Sequence, residues 1–173
     1  MNPDNDQKHS AFSKIPALSN HRITLRGLEL SESAAIIDIS VYNGVFAANA
    51  TEAAHILEQI NADIAKGESL HWGIFLYETN ELAGTCGYYR GFAENSGEIG
   101  YILKDSHRGK GLMTEAVQLL VDFGFKTLKL DEIIAYTDPS NSASVAVLQR
   151  VGFIEVQSTD GDRKFILPGK GLN

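Results

Sequence analysis

Two glycines and two cations stand side by side in the stretch DSHRGKGLMTEA, directly before a pattern that predicts a helix. The first N–H groups of a helix have no partner inside the helix, and they carry a partial positive charge. Gly109 and Gly111 would let the main chain turn these N–H groups towards a ligand and let that ligand approach closely. Arg108 and Lys110 would add charge-assisted hydrogen bonds. These residues predict a diphosphate site, although an ordinary strand-to-helix loop with solvated cations has the same composition.

Other phosphate-binding and hydrolase motifs do not match this chain. The dinucleotide fingerprint would need glycine in place of Thr114, and the P-loop would need serine or threonine in place of Gly111. No G-x-S-x-G motif of a serine hydrolase occurs. The five histidines lack H-E-x-x-H or comparable spacing, so no metal site is predicted. Thr114 would instead add its hydroxyl to the diphosphate site from the first turn of the helix.

The composition limits the classes of partner and the location. A net charge of −7 argues against general nucleic-acid binding, which depends on clustered Lys and Arg, and it weakly favours a cationic substrate. The single cysteine, Cys86, permits no disulfide within the chain and predicts a buried thiol in a reducing compartment. The polar N-terminus predicts no secretory signal, and no apolar run reaches the roughly 18 residues of a membrane span. We therefore expect a cytoplasmic protein that binds neither nucleic acid nor membrane.

The rest of the pattern predicts one domain over residues 21–173 behind a loose N-terminal arm of residues 1–20. Alternation predicts strands over residues 21–30, 70–78, 82–91, 97–104, 132–137, 153–158 and 163–167. Helical periodicity predicts helices over residues 31–43, 51–67, 111–128 and 142–152, with Thr51 capping the second and Gly67 ending it. This order implies an α+β or three-layer α/β fold, with one mixed, mostly antiparallel sheet of about seven strands flanked by helices.

The chain resembles the GNAT superfamily of acetyl-CoA-dependent N-acetyltransferases. The signature of that family is [Q/R]-x-x-G-x-[G/A] at the start of a central helix, and RGKGLM from Arg108 to Met113 matches its first four positions. Met113 departs from the usual glycine or alanine, but methionine keeps its main-chain N–H. The segment NSASVAVLQRVGF from Asn141 to Phe153 resembles a second family segment, N-x-x-S followed by G-F. The resemblance covers roughly residues 21–167 and extends to the branch of ribosomal-protein N-terminal acetyltransferases.

The resemblance implies a binding site for acetyl-CoA as the cosubstrate and no metal. In this family two neighbouring strands, here 98–103 and 132–137, diverge to form a V that holds the pantetheine arm. The arm would bond to the main chain near Tyr101, Ile102 and Leu103, and an N–H near Ile102 would stabilise the oxyanion. The remaining contacts would come from Arg108, Gly109, Lys110, Gly111, Met113 and Thr114 around the diphosphate and from Asn141 on the arm.

Acetyl transfer needs a neutral amine and a proton for the departing thiolate. An α-amino group has a pKa of about 8, whereas a lysine has a pKa of about 10.4 and needs more help to lose its proton. The resemblance makes Glu98 the candidate base, directly or through a water, and Ser144 the candidate proton donor. An exposed strand-end carboxylate and an ordinary first-turn serine are the alternatives for these two residues. Glu155 is a weaker candidate base, and Tyr101 or Tyr136 could donate the proton instead.

The reaction implied by the resemblance is direct transfer within a ternary complex to a protein N-terminus or a small amine. Aromatic side chains can hold such an amine through cation–π contacts. The candidate residues of the acceptor cleft are Tyr42, Phe46, Trp72, Tyr88, Tyr89 and Arg90. The alternative function is a catalytically silent CoA-binding module, or a regulatory protein that binds another phosphate-bearing ligand. A homodimer is expected from the family.

Overall fold

The structure is a computed structural model that describes residues 15–159 and 161–169. The strands are β1 (Leu18–Ser19), β2 (Ile23–Arg26), β3 (Val41–Tyr42), β4 (Val45–Phe46), β5 (Leu70–Leu76), β6 (Leu82–Tyr89), β7 (Ser96–Leu103), β8 (Glu132–Thr137), β9 (Ile154–Val156) and β10 (Arg163–Pro168). The α-helices are α1 (Ala50–Lys66), α2 (Leu112–Lys126) and α3 (Ser142–Val151). Short 3-10 helices cover Leu30–Ala35, Ile37–Ile39, Ala93–Asn95 and Asp105–His107.

Eight strands of the described residues form one mixed sheet in the order β1-β2-β5-β6-β7-β8-β10-β9. All neighbouring strands run antiparallel except β7 and β8, which are parallel. The predicted α+β fold with a mixed, mostly antiparallel sheet is confirmed. The strand beyond the seven predicted is β1, whose Leu18 and Ser19 pair with Leu25 and Thr24. These two residues belong to the predicted N-terminal arm, and residues 1–14 of that arm lie outside the described residues.

The parallel pair β7 and β8 separates partway along its length. Their ladder runs from Ser96 opposite Glu132 to Ile99 opposite Ala135 and stops there. Because β7 continues to Leu103 along β6, its last residues have no β8 partner in the part of the chain that the structure describes. The two strands therefore diverge into the V that the resemblance implied, and one edge of β7 is left open.

Helices cover both faces of the sheet. One core cluster joins α2 to Trp72 and Tyr88 of the central strands. A second cluster joins Ala53 and Leu57 of α1 to Phe75 and the 3-10 segment before β3. The apolar faces that periodicity predicted for α1 and α2 are buried, and each Leu or Ile buried in this way stabilises the fold by about 1.5–3 kcal/mol. Within residues 15–159 and 161–169, no helix is long and apolar enough to cross a membrane.

The cap of α1 differs from the prediction. Asn49 is the N-cap, and its side chain accepts a hydrogen bond from the Glu52 N–H at 3.0 Å. The Glu52 carboxylate in turn accepts a hydrogen bond from the Ala48 N–H at 2.8 Å. The Thr51 prediction is wrong, because asparagine caps a helix at least as well as threonine and comes earlier in the chain. The predicted end at Gly67 is confirmed, since Gly67 takes the left-handed conformation with φ 79°.

The helix predicted over residues 31–43 is wrong. Two short 3-10 helices occupy most of this segment, and then β3 begins. Its β-branched residues favour helix weakly, and the 3-10 path takes both Ile36 and Ile39 into the core cluster beside α1. Glu32 is held outside that core by Arg26, whose guanidinium donates to the carboxylate at 2.7 Å and 3.0 Å. Burial of the two isoleucines therefore overrides the helical periodicity.

A small hairpin of β3 and β4 follows this segment. Asn43 and Gly44 form its turn with φ values of 50° and 80°, as a two-residue Asn-Gly hairpin requires. Val45 and Phe46 of the outer strand are 67% and 57% exposed. The Ala47 N–H donates to the Ser40 carbonyl at 3.0 Å and ties the base of the hairpin to the preceding chain. The hairpin therefore forms a separate rim beside the main sheet.

Cys86 is fully buried on β6, as its apolar surroundings predicted. Burial raises the pKa of its thiol far above the ordinary range. The thiol therefore stays protonated at neutral pH and is a poor nucleophile.

Candidate active site

Two clefts meet at the open edge of β7. The first, the loop cleft, has a volume of about 1040 Å³ and is lined by β7, by Arg108, Gly109 and Gly111, by the first turn of α2, and by α3. The second, the sheet cleft, has a volume of about 640 Å³ and lies over β6 and β7 beside α1 and the β3–β4 turn. Tyr101 and Ile102 line both clefts. Ligands in the two clefts would therefore face each other across these residues.

The loop cleft brings together the predicted cofactor residues with one exception. The residues that line it are Tyr101, Ile102, Leu103, Arg108, Gly109, Gly111, Met113, Thr114 and Asn141. Ser144, the predicted proton donor, lines it as well. Lys110 does not line the cleft. Its carbonyl accepts a hydrogen bond from Arg22 at 3.0 Å.

The start of α2 has no side-chain cap, unlike the starts of the other two α-helices. Asn49 and Asn141 cap α1 and α3, whereas the N-cap of α2 is Gly111 with φ 79°. The first helical hydrogen bond of α2 is donated by the Glu115 N–H, so the N–H groups before it have no acceptor within the helix. Gly109 has φ 75° and no atom within 4 Å of the place where a Cβ would be. This open, N–H-rich loop is suited to an anion.

Arg22, the residue directly before β2, fixes the loop from the side of the sheet. Its guanidinium donates to the Lys110 carbonyl at 3.0 Å and also to the Glu115 carboxylate. Asn20 donates to the same carboxylate at 2.8 Å. Arg22 therefore binds the Lys110 carbonyl, which carries the negative end of this peptide dipole, so that this oxygen would not face an anion in the loop. Sequence reasoning missed Arg22 because it lies 88 residues from Lys110 and reads only as an outward-facing strand residue.

Two arginines flank the loop cleft. The Arg108 side chain is 62% exposed, and its Nη2 lies 2.9 Å from Asp105 Oδ1. Because exposed ion pairs contribute only about 0–1 kcal/mol, this pair leaves the guanidinium free to exchange onto a phosphate. Arg150 lines the cleft from the end of α3, on the same helix face as Ala143 and Val147. Sequence reasoning missed Arg150, although its seven-residue spacing from Ala143 was a usable signal.

Tyr101 and Ser144 join β7 to α3 across the V. The Tyr101 hydroxyl lies 2.9 Å from Ser144 Oγ, and either oxygen can be the donor. Burial raises the pKa of Tyr101 to about 12, although the hydrogen bond with Ser144 opposes this rise. Asn141 positions Ser144, because its side chain accepts a hydrogen bond from the Ser144 N–H at 3.0 Å. The junction of the clefts therefore carries two linked, protonated hydroxyl groups at neutral pH.

Glycines shape the floor of the sheet cleft. His71 on β5 lies opposite Gly87 on β6, and Gly87 lies opposite Gly100 on β7. The Tyr89 ring lies against Gly100, with Cε2 and Cδ2 only 3.0 Å and 3.1 Å from the place where a Cβ would be. The His71 and Tyr89 ring centroids are 6.0 Å apart. Burial lowers the pKa of His71 to about 4, so its imidazole is neutral at neutral pH.

Glu98 lines the sheet cleft and is paired with Arg90. It lies on β7 opposite Tyr89, and its carboxylate accepts a hydrogen bond from the Arg90 guanidinium. The Glu98 side chain is 22% exposed, whereas that of Arg90 is 74% exposed. Burial raises the pKa of Glu98, and the charge and hydrogen bond of Arg90 oppose this rise. A largely buried carboxylate with a raised pKa beside a cavity is suited to proton transfer.

Comparison with known proteins identifies the family. A family profile described as an acetyltransferase (GNAT) domain matches residues 22–154. The chain belongs to the GNAT acetyltransferase family. The match spans β7, the start of α2 and all of α3, so the junction of the two clefts lies inside the GNAT domain. The protein is therefore an N-acetyltransferase.

Individual relatives agree with this assignment. The N-acetyltransferase p20 of Bacillus licheniformis, itself named as uncharacterised, is 33% identical over 147 residues, which cover 80% of this chain and 83% of p20. The Bacillus subtilis protein named probable N-acetyltransferase YjcK is 44% identical over 93 residues, which cover 52% of this chain and 51% of YjcK. RimL, a ribosomal L7/L12 alpha-N-protein acetyltransferase solved with coenzyme A, has a TM-score of 0.77 at 18% identity, covering 89% of this chain and 98% of RimL. The likeness to RimL concerns the fold.

Met113 is the position at which this GNAT acetyltransferase departs from the family signature. Its side chain is only 6% exposed and packs in the core with Ala116 and Val117. Its N–H stays in the uncapped first turn of α2. Methionine therefore leaves the main-chain N–H groups of this helix start unchanged.

Three residues predicted for the acceptor cleft of this GNAT acetyltransferase lie elsewhere. Trp72 and Tyr88 are fully buried, with the indole N–H donating to the Pro16 carbonyl at 2.8 Å and the phenol to the Leu120 carbonyl at 2.7 Å. Phe46 is exposed on the hairpin and does not line the sheet cleft. The predictions for Trp72 and Tyr88 are wrong because a buried aromatic residue can satisfy its polar group within the core. The prediction for Phe46 is wrong because this residue lies exposed on the outer strand of the hairpin, away from the cleft. The other candidates, Tyr42, Tyr89 and Arg90, do line the sheet cleft.

Glu155 and Tyr136 also lie outside both clefts. Glu155 on β9 accepts hydrogen bonds from Arg163 on β10 at 2.7 Å, and this pairing lowers its pKa. The Tyr136 ring lies 5.8 Å from Lys164 Nζ. Neither residue lines the loop cleft or the sheet cleft, so neither is placed for proton transfer at their junction.

Proposed function

We propose that this chain transfers an acetyl group from acetyl-CoA directly to a primary amine within a ternary complex. The observation that carries the proposal is the junction of the loop cleft and the sheet cleft at Tyr101 and Ile102. A donor in one cleft and an amine in the other would meet there without an acetylated enzyme group. Holding both reactants in one orientation removes part of the entropic barrier of a reaction between two molecules.

The loop cleft suits acetyl-CoA as the cosubstrate. The uncapped N–H groups of α2 and the open loop at Gly109 and Gly111 would bind its diphosphate. The open edge of β7 at residues 101–103 would bind the amides of the pantetheine arm, with Asn141 beside it. When bound, acetyl-CoA supplies the acetyl thioester. Arg108 and Thr114 would add contacts to its phosphates.

Replacing Arg22 with alanine is expected to weaken the binding of coenzyme A about tenfold, which corresponds to about 1.4 kcal/mol. Without its guanidinium, the Lys110 carbonyl loses a charge-assisted hydrogen bond, and the loop no longer holds its N–H groups ready for the diphosphate. Isothermal titration calorimetry measures the dissociation constant. Arg163→Ala is the matched control, because it removes the same charge from a distant ion pair. An unchanged dissociation constant in Arg22→Ala would show that the loop keeps its shape without this residue.

Glu98 is the proposed base, acting directly or through a water. Its carboxylate lines the sheet cleft. Its pKa is raised, so it lies closer to the pKa of an α-amino group, about 8, than the pKa of an ordinary carboxylate does. It would receive a proton as the amine nitrogen bonds to the acetyl carbon. General-base help of this kind contributes about 10²–10⁴-fold to the rate.

Ser144 is the proposed proton donor to the departing thiolate, with Tyr101 behind it. Because the two oxygens are 2.9 Å apart, Tyr101 can pass a proton to Ser144 Oγ as Ser144 gives its own to the sulfur. A main-chain N–H near Ile102, on the edge of β7 that β8 leaves open, would donate a hydrogen bond to the acetyl oxygen as that oxygen gains negative charge. Ile102 lies beyond the end of the β8 ladder, where the V is open.

Replacing Arg90 with glutamine is expected to move the acidic limb of the pH profile of kcat/KM to higher pH. Arg90 opposes the burial-induced rise in the pKa of Glu98, so its removal lets that pKa rise further. The base is then protonated over a wider range, and activity is lost from the acidic side. Profiles of the wild type, Arg90→Gln and Glu98→Gln measure this shift, and Glu98→Gln should lack the limb. A limb that stays in place in Arg90→Gln would exclude Glu98 as the base.

The proposed acceptor is a protein N-terminus or a small amine. The fold likeness to RimL, which is described as an alpha-N-protein acetyltransferase, favours a protein N-terminus. The sheet cleft is lined by Asp63, Glu68 and Glu98 against Arg90, which favours a cationic amine. An α-amino group also needs less help to lose its proton than a lysine does. A cytoplasmic location and a homodimer are parts of the same proposal.

A thiol-release assay tests the proposed function. Acetyl-CoA is offered with polyamines, amino acids, antibiotics and N-terminal peptides, and the expected result is release of free coenzyme A that depends on one class of amine. Intersecting initial-rate lines would support the ternary complex, whereas parallel lines would contradict direct transfer. A silent module would bind coenzyme A without turning over any amine.

A thermal-shift comparison separates the regulatory alternative. A ligand at 100 times its dissociation constant adds about 2.7 kcal/mol of stability. Stabilisation by coenzyme A is expected, whereas stabilisation by ADP or a flavin without any by coenzyme A would favour a regulatory protein.

A further inference from the structure

The sheet cleft collects most of the buried polar side chains. Within the described residues, the buried serine, threonine and histidine residues are Ser40, Ser69, His71, Thr85, His107 and Thr137. The first four of these line the sheet cleft. Polar groups in a protein interior are normally hydrogen-bonded, so their partners identify what each of them does.

Two of these side chains, Ser40 and Ser69, have no hydrogen-bond partner in the part of the chain that the structure describes. The hydroxyl oxygens of Ser40 and Ser69 are buried and unpaired, and both residues are 5% exposed. His71 is 6% exposed and touches Tyr89 through its ring, without a side-chain hydrogen bond. By contrast, the buried His107 is bonded to Ser106 at 2.9 Å. Unpaired buried hydroxyls destabilise a fold, and a ligand in the adjacent cavity that bonds to them would remove this cost.

Strand register places His71 and Thr85 on the same side of the sheet as the proposed base. His71 lies opposite Gly87, and Gly87 lies opposite Gly100. Because alternate residues of a strand share a face, Thr85 lies on the face of Gly87, and Glu98 lies on the face of Gly100. An amine whose nitrogen approaches Glu98 would therefore extend its substituents over this polar floor.

We propose that Ser40 and Ser69, together with His71, bind an uncharged hydrogen-bonding group of the acceptor, so that the enzyme selects amines with a hydroxyl or carboxamide close to the amino group. This inference rests on the proposed function, since it concerns the amine in the sheet cleft. A serine hydroxyl moves between staggered positions by rotation about one bond, which lets it turn to a ligand. The neutral imidazole of His71 adds one donor and one acceptor.

An uncharged polar substituent of the acceptor is better suited to these residues than a charged one. A second ammonium group there would be buried beside neutral hydroxyls and a neutral imidazole, without a carboxylate partner at that depth. The carboxylates of Asp63 and Glu68 line the same cleft, but Lys66 lies 3.2 Å from the first and 3.9 Å from the second and balances part of their charge. A site with buried hydrogen-bonding groups also rejects an apolar isostere strongly, because the groups then stay unpaired.

Two isosteric pairs of amines test the inference on the wild-type enzyme. Ethanolamine is compared with propylamine, and glycinamide is compared with isobutylamine, with kcat/KM corrected for the neutral fraction of each amine. The kcat/KM of each polar amine is expected to be at least about tenfold higher than that of its apolar isostere. A tripeptide that begins with glycine distinguishes a peptide acceptor from a small-molecule acceptor. Its kcat/KM should be higher than that of glycinamide if the acceptor is a peptide, and lower if the acceptor is a small molecule. Equal kcat/KM within both isosteric pairs would overturn the inference.

Two serine variants assign the selection to these residues. Ser40→Ala and Ser69→Ala are expected to lower kcat/KM for ethanolamine and glycinamide about tenfold, without changing the values for propylamine or the KM for acetyl-CoA. Their melting temperatures should not fall, because the lost hydroxyls have no protein partner. Ser31→Ala, at an exposed position, is the control and should match the wild type. Variants that lower kcat/KM for polar and apolar amines by the same factor would contradict the assignment.

Binding measurements keep this inference separate from the proposed function. If no amine is turned over, the proposed function fails, and calorimetry of glycinamide and isobutylamine on the complex with coenzyme A then decides the inference. Glycinamide should bind at least about tenfold more tightly, and this preference should be lost in Ser69→Ala. Equal binding of the two amines would overturn the inference, whatever the activity.

Discussion

Replacing Ser144 with alanine is expected to lower kcat about 10²–10³-fold and to leave the affinity for coenzyme A unchanged. The Ser144 hydroxyl lines the loop cleft and lies 2.9 Å from the Tyr101 hydroxyl at the junction of the two clefts. Without it, the departing thiolate has no donor at that point. The start of α3 should stay intact, because Asn141 caps the main-chain N–H of Ser144, which alanine retains.

Single-turnover kinetics and a calorimetric titration separate the two effects in this variant. Ser142→Ala is the matched control, since Ser142 lies in the same helical turn, is exposed and lines neither cleft. It should give the wild-type kcat. Tyr101→Phe should show a smaller decrease in kcat than Ser144→Ala, because Ser144 can still donate its own proton. A wild-type kcat in Ser144→Ala would exclude this residue as the donor.

Replacing Gly109 with valine is expected to weaken the binding of coenzyme A roughly 10–100-fold. Gly109 has φ 75°, and a β-branched residue in this conformation is strained by about 1–3 kcal/mol. The space beside its Cα is open, and a valine side chain would occupy it where the diphosphate approaches the N–H groups of α2. Isothermal titration calorimetry with coenzyme A measures the loss.

Gly161→Val is the matched control for backbone strain. Gly161 has φ 84° and, like Gly109, has no atom within 4 Å of the place where a Cβ would be. It lies between β9 and β10 and lines neither cleft. Both variants should lose similar thermal stability, but only Gly109→Val should lose affinity. An equal dissociation constant in all three proteins would place the diphosphate elsewhere.

The periodicity of apolar residues correctly predicted the helices and strands that bury one regular face of their own sequence. The apolar positions of α1 repeat along one face, and Ile56, Leu57, Ile60 and Ile64 are all buried as expected. The strands β5, β6 and β7 are joined by short connections and pair antiparallel in chain order, in agreement with the predicted, mostly antiparallel sheet. These features depend on neighbours in the chain, which a sequence pattern records directly.

The segment before α1 was predicted wrongly because two local signals competed. Its isoleucines follow a helical spacing, but β-branching and burial beside α1 favour short 3-10 helices instead. The Asn43-Gly44 pair is a strong two-residue hairpin signal, but the helical pattern extends to Asn43 and overlaps this signal. A hairpin signal at the end of an apparent helix should therefore take precedence over the periodicity.

Spacing alone could predict the candidate site only where its residues are contiguous. Asn141 and Ser144, which line the same loop cleft, were predicted through the family resemblance. Gly109 and Gly111 stand together in one stretch, so their shared loop was readable. Arg22 reaches the Lys110 carbonyl from the other end of the chain, and no local pattern marks that contact. The unpaired hydroxyl of Ser69 is also invisible in sequence, because its burial depends on several elements that pack together.

We propose that main-chain N–H groups at the start of α2 bind the diphosphate of coenzyme A. Titration of the ¹⁵N-labelled protein with coenzyme A, followed by NMR, tests this claim most directly. The amide resonances of Gly109, Gly111, Met113 and Thr114 should show large, saturable shifts, and Gly109→Val should require much more ligand to reach the same endpoint. If coenzyme A shifts other amides to saturation while these four stay in place, the diphosphate binds elsewhere and the proposed site is wrong.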